Sequence, residues 1–199
     1  MTAFGSRNGS RIERVIVNTS ILVVDGFYSD AQDVRQHALA SDFSVQGNYP
    51  GLRTRPFLHQ AIRDAIQSLV QRPIVFWPED DYNGAFQYTV ASDKTWVHSD
   101  HTTNRAGVLY LTPDAPVSAG TAFFKHRPTG LDSQPQDPHL QAAIAESSRD
   151  EDWERTDYVA NAFNRLVLFD STRFHCSAGY FGTGLEDGRL FQTFFFSVA

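Results

Sequence analysis

The sequence predicts a mainly β domain with helices in its N-terminal third. Three observations predict it. From Pro73 onward, short runs of apolar, aromatic and β-branched residues recur between turn residues, the texture of a β-sandwich or barrel. Before that point two segments space their apolar residues for helices instead. The chain has 199 residues, 41% of them hydrophobic, which suits one domain around a single sizeable core, and no internal repeat or low-complexity tract divides it.

The elements follow in order. Residues 1–13 are polar and read as a frayed leader, without the apolar stretch of a signal peptide. Val15 to Val24 (VIVNTSILVV) gives one or two strands. Ser29 and Gln32 match a capping box ahead of Val34, Ala38 and Leu39 at helical spacing. Leu58, Ile62, Ile66, Leu69 and Val70 form the apolar stripe of a second helix, with a loop from Gln46 to Pro56 between the two. Strands are then expected around Phe86–Val90, Trp96–Asp100, Val108–Leu111, Ala122–Lys125, Leu166–Phe169 and Leu190–Val198. The polar stretch 126–161 interrupts them. It reads as an insert or lid, with Asp137-Pro138 opening a short helix.

Charge and cysteine content narrow the function. The formal net charge is -6, and no dense Lys/Arg cluster offers a phosphate-backbone footprint, so nucleic acid is not an expected partner. No apolar run approaches the roughly 20 residues of a membrane span. The single cysteine, Cys176, excludes an internal disulfide and fits a reducing compartment, so the expected location is the cytoplasm.

Chemistry concentrates in the β part. In His98-Ser99-Asp100, residues two apart on a strand share a face, so the imidazole and carboxylate converge. One more histidine would complete the two-histidine, one-carboxylate set that holds iron(II) with open positions. His175 is the candidate, since it follows the buried-type strand Leu166–Asp170; His126 is its rival, and His101 falls on the opposite strand face. Arg189 opens the strand RLFQTFFFSV on one face with Phe191, Thr193 and Phe195. An inward arginine there is costly unless paired, and a dicarboxylate would pair it. Arg53, Arg55 and Arg105 are candidates for a substrate carboxylate, and Trp96, on the face of His98, for core or pocket wall.

In their order along the chain, these pieces resemble the iron(II)/2-oxoglutarate-dependent oxygenase superfamily, and within it the prolyl-hydroxylase-like branch. The resemblance rests on His98-Ser99-Asp100, Tyr110-Leu111, Gly120-Thr121-Ala122-Phe123, Leu166–Phe169 with His175, and Gly188-Arg189, over about residues 82–198; the opening Ile21–Phe27 is similar as well. It implies a double-stranded β-helix (jelly-roll, cupin-like) and iron(II) on His98, Asp100 and His175. It further implies 2-oxoglutarate as co-substrate, with its distal carboxylate on Arg189 and Tyr110, and Tyr88 close by. Phe191 departs from the pattern, standing where many relatives carry a hydroxyl, which leaves Thr121 or Thr193 to assist. With Asp100 present, the resemblance implies hydroxylation rather than halogenation, and leaves desaturation or ring formation open. The expected reaction oxidises a C–H bond of a small molecule, such as an amino acid or natural-product intermediate, with O2. A peptide side chain is the alternative substrate, and a non-catalytic jelly-roll binding module the alternative function.

Overall fold

The computed structural model describes residues 19–79, 82–147 and 149–199. The predicted leader and the first residues of the predicted 15–24 strand lie outside the described residues. Ile21–Asp25 forms β1. The two predicted helices are α1 (Ala31–Leu39) and α2 (Gln60–Val70), with Val34, Ala38, Ile62 and Ile66 buried along their apolar stripes. The expected capping box does not form. Asp30 takes the N-cap position, so Gln32 falls one residue too early to reach back, and no side chain caps the helix.

The expected 46–56 loop is partly a hairpin of β2 (Val45–Gln46) and β3 (Leu52–Pro56). Gly51 turns it with φ +92°, and a Cβ there would lie 2.0 Å from the Tyr88 carbonyl. Then come β4 (Ile74–Phe76), β5 (Ala85–Thr89), β6 (Arg105–Tyr110) and β7 (Thr121–His126). After them come α3 (Pro138–Ala145), a 3-10 turn at Asp150–Asp152, β8 (Trp153–Val159), β9 (Arg165–Asp170), β10 (His175–Ser177) and β11 (Arg189–Val198). Asp137 caps α3 by accepting from the His139 amide at 2.8 Å, with Pro138 at the first position as expected. Residues 153–159 are not part of an insert. They pair with β7 from His126↔Trp153 to Thr121↔Val159, and the non-strand stretch shrinks to 127–152. The expected 96–100 strand is only an extended segment bridged at His98 to His175.

The strands form two antiparallel sheets. The larger has the order β1-β9-β6-β11-β5-β3-β2, with β4 also on β11; the smaller is β10-β7-β8. Alternation along the large sheet divides its side chains. Leu166, Leu168, Leu109, Leu190, Phe194 and Phe196 meet α1 and α2 in one core. Val167, Phe169, Ala106, Tyr110 and Phe191 point the other way and meet Phe123 of the small sheet. The layers are therefore helices, large sheet, small sheet, and the second core continues between the sheets into an open cavity. Among the described residues, no helix is long and apolar enough to cross a membrane.

Candidate metal centre and its cavity

Backbone pairing brings the two histidines together. The His98 amide donates to the His175 carbonyl at 3.0 Å, and the His175 amide returns a bond to His98 at 2.8 Å. Two residues on, the Asp100 amide donates to Ser171 at 2.9 Å. One donor atom from each of His98, Asp100 and His175 lies within 4.8 Å of the others. Each imidazole has its Nδ1 beside a backbone carbonyl, Trp96 for His98 at 3.2 Å and Arg173 for His175 at 2.8 Å. The tautomer that satisfies both carbonyls carries its proton on Nδ1 and leaves Nε2 as a lone pair.

Electrostatics make this cluster incomplete on its own. Burial, then the neighbouring His98, holds His175 down to about 3, so its ring is neutral. Burial also lowers His98 and raises Asp100. His175 Nε2, a lone pair in this tautomer, faces a carboxyl oxygen of Asp100 at 3.5 Å. Two imidazoles with one carboxylate are the donor set for a divalent transition metal with open positions, and such a cation would hold Asp100 ionised against its burial.

The cluster opens on a cavity of about 440 Å³ between the sheets. Arg189, 1% exposed, lies at the start of β11 and lines it, together with Phe191, Thr193 and Phe195 from the same face. Its Nε donates to the Ala119 carbonyl at 3.0 Å, and its guanidinium lies over Phe191 (4.4 Å) and Tyr110 (5.3 Å). Nη1 is buried without a partner, and no carboxylate pairs with this arginine among the described residues. Tyr110 is fully buried behind it, with its hydroxyl 2.7 Å from that of Thr121, which also lines the cavity.

Three sequence expectations are corrected, and the rival ligand is set aside. Tyr88 points away from the cavity and packs edge-on against Phe43 on the helix side, because the alternation of β5 gives the inner face to Gln87. Arg105 also lies on the outer face, where it is paired with Asp170. Arg55 is exposed, turned out by a register shift between Arg53 and Pro56. His126, the rival ligand, bonds Thr129 at 2.9 Å and Ser147 at 2.7 Å and stacks on Trp153, outside the cluster. Arg53 and Trp96 do line the cavity, as does His101. Sequence reasoning missed Tyr49, whose ring lies 4.5 Å from that of His98 and 4.7 Å from that of Trp96. The Tyr49-Pro50-Gly51 turn was its one local signal. Cys176, beside His175, is pushed up to about 11 by burial, which makes it a poor nucleophile.

The fold is similar to those of solved 2-oxoglutarate-binding proteins. HygX from Streptomyces hygroscopicus, solved with nickel and 2-oxoglutarate bound, superposes with a TM-score of 0.57 at 12% identity, over 88% of this chain and 81% of that one. SnoN, a non-heme alpha ketoglutarate dependent epimerase from nogalamycin biosynthesis, superposes at 0.54 with 15% identity, over 87% and 76%. A prolyl hydroxylase from Trichoplax adhaerens, in complex with a hypoxia inducible factor peptide fragment, superposes at 0.53 with 13% identity, over 90% and 84%. No curated protein sequence matches the chain. The chain belongs to the family of unknown function DUF6445, whose sequence profile matches residues 9–196.

Proposed function

We propose that this chain is a non-haem iron(II)- and 2-oxoglutarate-dependent dioxygenase, built as a double-stranded β-helix, that hydroxylates an unactivated C–H bond of a small molecule. His98, Asp100 and His175 would hold the iron. Arg189, backed by Tyr110 and Thr121, would anchor the distal carboxylate of 2-oxoglutarate. The observation that carries this reading is Arg189. A guanidinium cannot shed its charge, yet this one is buried, has one nitrogen unpartnered, and shares a cavity with the His-Asp-His cluster. A dianion spanning cluster and arginine satisfies both.

In the overall reaction, 2-oxoglutarate, O2 and R–H give succinate, CO2 and R–OH. Bound iron(II) supplies the O2 activation that couples decarboxylation to C–H oxidation. The chain's own residues place the reactants. The Nδ1 bonds to Trp96 and Arg173 fix both imidazoles, and Phe191 and Phe195 keep the sheet side of the cavity dry. About 440 Å³ is in the range of small-molecule sites, which supports an amino acid or natural-product intermediate over a protein surface.

Anaerobic addition of iron(II) and 2-oxoglutarate tests the reading. Wild type should develop a weak visible charge-transfer band. His175→Ala should lose it, and His126→Ala should keep it. A wild type that binds metal and 2-oxoglutarate without the band would return the chain to the non-catalytic binding-module reading.

A further inference from the structure

Arg53 is a second buried cation in the same cavity. It is 4% exposed and stands opposite Gln87 on β5, which stands opposite Phe191 on β11; all three line the cavity. Arg189 lies on the same sheet face, two residues before Phe191. With strands about 4.8 Å apart and residues about 3.4 Å apart, the two arginine Cα atoms are separated by about 12 Å. The cavity therefore has two cationic ends.

The surroundings of Arg53 leave it unsatisfied. Nη2 makes one long bond, to the Tyr49 carbonyl at 3.3 Å, and the Tyr82 ring centroid is 5.4 Å from the guanidinium carbon. Nη1 is buried with no partner. Among the described residues no carboxylate pairs with Arg53, and Asp100 is the only acid lining the cavity. The chain also makes room for this head: a Cβ at Gly47 would fall 2.2 Å from Nη1. The register shift after Arg53 keeps this arginine on the inner face while Arg55 goes to solvent.

Tyr49 links this end to the metal cluster. Its carbonyl receives Arg53, and its ring lies against His98 and Trp96. Trp96 is 47% exposed and Tyr82 37%, so an aromatic rim runs from Arg53 towards the cluster. Charge points the same way, and here the argument rests on the oxygenase reading. Among the described residues that line the cavity, two arginines with iron(II) bring four positive charges, and Asp100 with 2-oxoglutarate brings three negative ones. One monoanion makes the loaded cavity neutral, whereas a phosphate dianion overshoots.

We propose that Arg53 binds the carboxylate of the primary substrate, and that this substrate is a monocarboxylate whose aromatic or apolar body lies along Tyr49, Tyr82 and Trp96. The fork of the guanidinium fixes the carboxylate, and the aromatic rim aims the body at the metal.

The test uses the full chain loaded with manganese(II) and 2-oxoglutarate under argon. Ligand-observed NMR is run against matched pairs of arylalkanoic acids and their carboxamides of increasing chain length. Wild type should bind at least one acid about thirtyfold or more tightly than its amide. Arg53→Gln should bring that acid to the level of the amide while leaving 2-oxoglutarate affinity unchanged. Gly47→Ala, which displaces the same guanidinium from a neighbouring position, should weaken the acid without affecting the amide. Acid preference that survives in Arg53→Gln, or no acid bound by wild type, overturns the proposal. A loss of 2-oxoglutarate affinity in Arg53→Gln overturns it too, by moving Arg53 to the co-substrate. Failure of the oxygenase reading is separate: wild type would then either not bind 2-oxoglutarate in a metal-dependent way, or bind it with iron(II) without the charge-transfer band.

Discussion

His175 and Arg189 meet burial in opposite ways. The histidine gives up its charge, held down to about 3 by burial and the neighbouring imidazole, and becomes a neutral donor. The arginine keeps its charge, with one bond to Ala119 and two aromatic faces as partial compensation. What is left over is a buried nitrogen without a partner, which a carboxylate would fill. Arg189→Met removes the orphan cation with a single hydrogen bond, so it should change the stability of the ligand-free fold by less than about 1 kcal/mol. The same change should weaken 2-oxoglutarate by about 2–5 kcal/mol, a factor of tens to thousands. Calorimetric titration with 2-oxoglutarate on the manganese-loaded variant checks this, alongside denaturant unfolding without ligand. Normal 2-oxoglutarate affinity in a folded Arg189→Met protein would remove the arginine from the site.

At the scale of elements, the stretch between β7 and β8 matters most. α3 stands across a second cavity of about 480 Å³ from the segment carrying His98, and Ser99 Oγ reaches Gln134 at 3.4 Å. Loading with manganese(II) and 2-oxoglutarate should therefore slow amide exchange in 134–147, because ordering His98 and Asp100 stiffens the surface on which α3 rests. Protection confined to β10 and β11 would make α3 a bystander. Trp153 packs on His126 and Phe174 at the start of β8. The strands with alternating or continuous apolar residues were legible in the sequence, because burial of one or both faces writes itself into composition. β8 was not, since WERTDYV is an edge strand whose middle five residues are exposed. The inner face of β5 misled for a related reason. The face of β5 turned to the cavity carries the polar Gln87, while the apolar Phe86 and Tyr88 serve the helix-side core. His98, Asp100, His175 and Arg189 were legible because spacing and strand parity depend only on local geometry. Tyr49 was not, because its place beside His98 depends on how the sheets and hairpin come together; the outward turn of Arg105 follows from the parity of β6 once Tyr110 faces in.

Across the whole molecule, the candidate site is a joint between the two sheets. His175 belongs to the small sheet; Arg189 belongs to the large one and donates to Ala119, just before β7. His98 and Asp100 hang on a bridging segment with few regular pairings of its own. A metal alone would tie that segment to β10, and 2-oxoglutarate alone would meet Arg189 without a second anchor. Together they would span the joint, so their effects on stability should exceed the sum of the separate ones. A ligand at about a hundred times its dissociation constant stabilises by about 2.7 kcal/mol. 2-Oxoglutarate at that excess over its affinity for the metal-loaded protein should raise the melting temperature clearly in the presence of manganese(II), and barely without it. In Arg189→Met the manganese effect should persist and the added 2-oxoglutarate effect should vanish. Thermal unfolding of wild type and variant under the four ligand conditions decides the matter. If the two ligands merely add in wild type, each binds its own sheet independently, and the site does not clamp the sheets together.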